Sequence, residues 1–371
     1  MRVCKAWYTL ACPFLYEYII LGRNRVLAPL CAVLSRTAQE KRQVGRWTKR
    51  LDVRMWDTTE TPETVFATLA DILTYLPNLC NLTFSITGHS FFALLLPNDI
   101  LNSITTSGSL KCVRWYNSIT KPLPQHWTEF LQKHPEIEVL DGEQAVSLRP
   151  HIKLDAVKIL HGYPIRTAQR GTTWSEVDLP AVRSMFCDFT SGTEIDDDAF
   201  SRLGHNLTNI QLSSLDHFTE SRLTDIFAQI RTRCTHLTQL VLVVRSWSLL
   251  VSYTPTLPST VHILGIRVMD GQISDASVKR LFTDLLPLYI THNPALKTIK
   301  FMGKRNSQAL RFCSVSLWHG LRVMENLGVA VRDLHDRLIV PLTCSEVAGH
   351  WRGELDKLSS TSALDALRST S

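Results

Sequence analysis

One short apolar pattern recurs along this chain and limits its fold more than any other feature. It runs apolar, two others, apolar, one other, apolar. It reads Leu79, Leu82, Phe84, then Leu110, Val113, Trp115, then Leu154, Val157, Ile159, then Val182, Met185, Cys187. It continues as Leu207, Ile210, Leu212, as Leu237, Leu240, Leu242, as Val261, Leu264, Ile266 and as Leu296, Ile299, Phe301, with weaker copies at Leu51–Val53 and Ile137–Leu140. A unit this short cannot bury its apolar side alone, so successive units must stack.

A second mark keeps phase with the first. Pro77, Pro135, Pro180 and Pro294 stand two residues before the first apolar position, and Pro258 stands three before it. Proline stops a helix and hands over to extended chain. The stretches ahead have helical spacing: Val65, Leu69, Ile72 and Leu73 within 61–75, Leu223, Ile226, Phe227 and Ile230 within 220–231, and Val278, Leu281, Phe282 and Leu285 within 274–286. Thr61, Glu63, Ser274 and Asp275 suit helix starts. Helix, proline, strand and loop in this order predict parallel strands joined by helical crossovers. A doubly wound α/β domain is the rival, but no Gly-rich phosphate turn occurs. The expected fold is therefore an α/β solenoid of about nine or ten irregular repeats, with parallel strands on the concave face and helices on the convex face.

The apolar fraction is 44% and the charged fraction 20%, enough to build a core. The net charge of +6 is unevenly placed. Residues 1–56 hold eleven Lys/Arg against Glu17, Glu40 and Asp52, an excess of +8. Arg42, Arg46, Lys49, Arg50 and Arg54, with Arg36, Lys41 and the flanking Trp47 and Trp56, form the candidate basic patch. No nucleic-acid motif accompanies it, and alternation with Leu51, Val53 and Met55 suits outward-facing charges on a strand, which disfavours nucleic acid as partner. The nine cysteines are scattered, without metal spacing, and read as free thiols in a reducing compartment. Lys5 and Glu17 interrupt the apolar N-terminus and no small-residue cleavage site follows, so it does not read as a signal peptide, and the most apolar later run, Leu237 to Tyr253, holds Arg245 and is too short and broken to span a bilayer. Residence in the cytoplasm or nucleus is the expectation.

The repeat resembles the leucine-rich-repeat family over residues 45–305. The Asn or Cys that this family places after each strand is mostly replaced, by Thr87, Ser118, Leu215, Arg245 and Lys304 among others, so the turn hydrogen bonds must be made another way. At the N-terminus, Val3, Cys4, Trp7, Leu10, Leu15 and Tyr16, with Pro13, resemble the second half of an F-box. The run Gly45-Arg46-Trp47-Thr48-Lys49-Arg50-Leu51-Asp52-Val53-Arg54-Met55-Trp56 is similar to one in F-box proteins of mushroom-forming fungi. That resemblance implies a short all-α segment docking on the linker subunit of a cullin-RING (SCF-type) ubiquitin ligase, with the repeats binding a target protein. The family's first F-box helix has no room between Met1 and Val3, so it is expected upstream or missing. The same apolar residues would alternatively cap the first repeat.

No HExxH, GxSxG or calcium-loop motif is present. His205, His217 and His236 suit no metal pattern, and the acids Glu194 and 196–198 sit where they favour a helix start. No catalytic residue, metal, cofactor or small-molecule substrate is expected. The expected layout is an F-box-like segment at 1–22, the repeats at 23–305, a C-terminal helical cap at 306–358 (helical spacing through Leu317, Leu321, Met324, Leu327 and Leu334) and a disordered tail at 359–371. The expected function is a non-enzymatic substrate-recruiting adaptor. A scaffold with no ligase link and a nucleic-acid binder are the alternatives.

Overall fold

A computed structural model describes residues 5–55, 61–86, 95–104, 109–115, 121–141, 152–161, 165–166, 177–188, 194–195, 197–213, 220–247, 256–270 and 273–342. Val3, Cys4, Trp56, Thr87, Ser118, His217 and Leu215 lie outside them, as does the expected tail. The chain forms two compact units, whose described residues divide between Leu207 and Thr208.

In the first unit seven strands lie side by side in chain order: β1 (Tyr18–Leu21), β2 (Arg50–Met55), β3 (Asn81–Ile86), β4 (Cys112–Trp115), β5 (Val139–Asp141), β6 (Ile159–His161) and β7 (Ser184–Asp188). Every neighbouring pair is parallel. Helices α1 (Lys5–Glu17), α2 (Leu27–Gln39), α3 (Pro62–Thr74), α4 (Asn98–Asn102), α5 (Pro124–Lys133) and α6 (Asp197–Leu203) belong to this unit. The second unit carries β8 (Asn209–Ser213), β9 (Gln239–Val244), β10 (Ile263–Val268), β11 (Thr298–Phe301) and β12 (Ala330–Asp333), again parallel and in chain order. Its helices are α7 (Glu220–Arg233), α8 (Asp275–Arg280), α9 (Leu286–His292), α10 (Lys304–Phe312) and α11 (Ser314–Asn326). Each unit is thus an α/β stack of similar strand-and-crossover repeats.

The apolar pattern is the buried row of these ladders. Leu51, Leu82, Val113, Leu140, Leu160 and Met185 are register partners from strand to strand, as are Ile210, Leu240, Leu264, Ile299 and Val331. All are buried, and each such aliphatic side chain contributes roughly 1.5–3 kcal/mol on leaving water. One copy is misread from sequence. The triplet Leu154, Val157, Ile159 overlaps the frame Val157, Leu160, and the structure uses the second: Leu160 holds the buried position, while Ile159 faces the other side of the sheet. Two frames of equal spacing share Val157, so apolarity alone does not separate them.

The prolines serve a turn rather than only a helix stop. Leu79 N–H donates to Leu76 O (3.3 Å), Ile137 to His134 (3.3 Å), Val182 to Leu179 (3.3 Å) and Leu296 to Asn293 (3.0 Å). Pro77, Pro135, Pro180 and Pro294 occupy the second position of these turns, where a fixed φ is favourable. Thr48 on Gly45, Leu207 on Gly204, Leu237 on Cys234 and Val261 on Pro258 close the same turn with another residue there. After most of these turns, one carbonyl of the preceding repeat receives two N–H groups of the next. Lys49 O accepts from Cys80 and Asn81, Cys80 O from Lys111 and Cys112, and Lys111 O from Glu138 and Val139. In the second unit Thr238 O accepts from His262 and Ile263, and His262 O from Lys297 and Thr298. These bonds satisfy backbone groups where each of these strands begins. At the end of β10 an asparagine of α10, beyond the following strand, binds the backbone: buried Asn306 accepts from Val268 N–H (3.0 Å) and donates to Val268 O (2.9 Å).

Three expectations are corrected. The N-terminal segment is not all helix: it is the single helix α1, unbroken through Pro13, and then strand β1, which pairs with β2. Alternating Ile19 and Leu21 bury into the core and add it to the ladder. Residues 306–342 are not a purely helical cap, because β12 follows α11 and extends the ladder beyond 305; Leu334 sits past that strand, exposed. The helix expected at 274–286 runs on to His292, through a π turn at Leu281–Leu285 that accommodates Pro287.

Candidate functional site

Helix α1 carries the F-box-like residues. Trp7, Leu10 and Leu15 are 67%, 66% and 68% exposed, and Phe14, which the sequence reading passed over, is 79% exposed. Cys12 is buried, and half-buried Tyr16 lies on its side, where burial raises the phenol pKa. At about 100° per residue, Trp7, Leu10 and Phe14 fall on the side of the helix opposite Cys12. The helix is therefore apolar on its buried face and on its solvent face. Cys12 and Tyr16 turn towards the protein, whereas Trp7, Leu10 and Leu15 stay exposed and do not cap the first repeat.

The basic residues divide. Arg42 lies in the turn after α2 beside Glu40 (3.6 Å), and Arg46 stacks over Trp47 (4.6 Å). Lys49 is exposed just before β2. Arg50 and Arg54 are committed to Asp52, a strand residue with no exposure, through bonds of 3.0 Å and 2.8 Å; Tyr18 Oη donates to the same carboxylate at 2.6 Å. Burial alone would raise the Asp52 carboxyl, but the hydrogen bonds from Arg50, Tyr18 and Arg54 outweigh it and hold the pKa below the usual carboxylate range. The same bond raises the Tyr18 phenol. The charges alternating along this strand are thus not all outward and free: the middle one is a buried anion that both neighbours bind, leaving one net positive charge for the three.

On the sheet face turned away from the buried row, the register aligns Asp52, Thr83 and Arg114 across β2, β3 and β4, and His161 with Phe186 across β6 and β7. His161 stacks on Phe186 (4.3 Å between centroids, 12° between planes). Burial, and then the charge of Arg114, lower the imidazole pKa to about 4, so it is neutral at physiological pH. Arg114 Nε is buried without a hydrogen-bond partner among the described residues, and burial raises the neighbouring Cys112 thiol. The signal for this row lay in the sequence, in the residue between the last two apolar positions of each repeat.

Among the described residues seven cysteines are free, and no group of His, Cys, Asp and Glu is arranged to hold a metal ion. Cys234 is fully buried, its thiol pushed up to about 12. His205 and His236, like Glu194, lie apart from these surfaces in the sequence of elements. No helix among the described residues is long and apolar enough to cross a membrane. No family model matches the chain, and no curated protein is similar to it.

Proposed function

We propose that this chain is a non-enzymatic adaptor of leucine-rich-repeat type: α1 docks, in the manner of an F-box helix, on the linker subunit of a cullin-RING ubiquitin ligase, and the repeats hold a target protein. The observation that carries the reading is the apolar stripe of Trp7, Leu10 and Phe14 opposite Cys12. A helix apolar on both sides is stable in water only when its second side is covered as well, and contiguous exposed apolar surface marks interaction sites. The resemblance of the exposed Trp7, Leu10 and Leu15 to F-box positions supports the linker as the cover. The target would lie on the sheet face that presents Thr83, Arg114, His161 and Phe186. Its binding holds the target near the ligase's ubiquitin-carrying enzyme and raises the local concentration of the reacting groups. This role places the chain in the cytoplasm or nucleus.

The test is a pull-down of the purified chain with the linker subunit, beside the double variant Trp7→Ala, Leu15→Ala and the single variant Phe14→Ala. Binding by the native chain and loss in the variants is the expected result. Absence of binding by the native chain removes the ligase role and leaves a protein-interaction scaffold.

A further inference from the structure

The two outer strands of the described ladders end differently. Beyond β12 the chain turns back on itself: Asp333 N–H donates to Arg337 O (2.8 Å), Ile339 N–H to Val331 O (3.1 Å), and Arg332 bridges to Leu338. That edge is closed. Strand β1 pairs with β2 alone, and among the described residues no strand lies on its other side. Lys49 N–H donates to Glu17 O (2.9 Å), so the alternation of a parallel ladder aims the backbone groups of Ile19 and Leu21 at β2 and the Tyr18 carbonyl and both backbone groups of Ile20 outward, the Tyr18 N–H closing the last turn of α1. Free edges are usually blunted by charge, proline or a bulge. Tyr18-Ile19-Ile20-Leu21 has none of these, Ile20 is 50% exposed, and a Cβ added at the following Gly22 would meet nothing within 4 Å.

Unpaired backbone groups at this edge call for another strand, and the surrounding charge selects its chemistry. Just after β1 stand exposed Arg23 and Arg25, and exposed Lys49 stands beside it; Arg50 leans over the Tyr18 ring (4.6 Å) and, with Arg54, shares the one negative charge of Asp52, so this pair adds a single net positive charge. The exposed acid of these segments is Glu17, since Asp52 is buried and already bonded. A second copy paired edge to edge would set two such basic ends against each other, which like-charge repulsion opposes. We propose that the free edge of β1 takes an extended segment of an acidic protein partner as an added strand. Main-chain bonds to Tyr18 and Ile20 would supply affinity, and acidic side chains beside the arginines would supply selectivity. This surface is separate from the stripe of α1 and does not depend on ligase docking.

The test uses the whole chain and three synthetic peptides: alternating Glu and Val, alternating Lys and Val, and the Glu-Val peptide N-methylated at alternate amides. Fluorescence anisotropy reads binding, and hydrogen exchange reads the Ile20 amide. The acidic peptide is expected to bind, more weakly as salt rises, and to slow exchange at that amide. N-methylation is expected to cost at least about tenfold in affinity, as is Ile20→Pro, whose lost N–H faces outward and spares the ladder. Phe14→Ala is expected to leave binding unchanged. The proposal is overturned if no peptide binds, if the Lys and Glu peptides bind alike, if the N-methylated peptide binds undiminished, or if Phe14→Ala abolishes binding. It is equally overturned if sedimentation shows the edge already occupied in a species of twice 42.1 kDa.

Discussion

Asp52 and its three donors form a small electrostatic unit on an otherwise apolar strand. Each arginine side chain is nearly half exposed (46% for Arg50, 44% for Arg54), so solvent screens much of the attraction, whereas Asp52 itself has no water to fall back on. Asp52→Ala is therefore expected to cost about 1–3 kcal/mol, read from the denaturant midpoint, chiefly because Arg50 and Tyr18 lose their acceptor. Because the folded carboxyl pKa is depressed, its contribution is present above the ordinary carboxylate range and is lost as pH falls below it; Asp52→Ala should flatten that acid limb. His161 acts in a higher window. Its folded pKa of about 4 lies below the unfolded value near 6.5, so the unfolded chain binds the proton first and stability falls as pH drops from about 6.5 towards 4. The full effect is about 3 kcal/mol at most, and His161→Gln should remove it from stability curves measured between pH 7 and 4.

At the scale of elements, α11 meets the π turn through Gly320. A Cβ there would strike the Phe282 side chain at Cβ and Cγ, so Gly320→Ala is expected to destabilise by about 1–3 kcal/mol, seen as a lower Tm with unchanged helical content. Such close approaches are invisible in a sequence, where Gly320 reads only as a poor helix former. What the sequence does carry is periodicity. The rows through Leu82, Val113, Leu240, Leu264 and Ile299, and the buried faces of α3 and α7, follow directly from spacing. Strand β1 is hidden because Tyr18–Leu21 continues an apolar helix with no turn residue between, and helix and strand periods cannot be separated over four residues. β12 is masked by the helical spacing ahead of it. The candidate surfaces divide in the same way. The residue types of α1 mark it as apolar, but only packing distinguishes outward Phe14 from inward Cys12, and only register reveals that Arg50 and Arg54 serve Asp52.

Over the whole molecule, cohesion passes from one repeat to the next. A substitution such as Leu82→Ala, in a side chain with no exposure and ladder partners on both sides, is expected to cost about 2–5 kcal/mol in denaturant unfolding. Amide exchange should be slowest in interior strands such as β3 and β9 and fastest at Ile20 of the outer strand. The shared carbonyl that joins each repeat to the next carries a further consequence. It fixes the distance from turn to strand and leaves the stretch from strand to following turn unconstrained, which is where the interval from Leu140 to Leu160 differs from that of Leu264 to Ile299. Insertions and deletions are therefore tolerated on one side of every strand and forbidden on the other, so that a lineage of such chains would drift in loop length while keeping a rigid seam, and lose its recognisable consensus long before it lost its architecture.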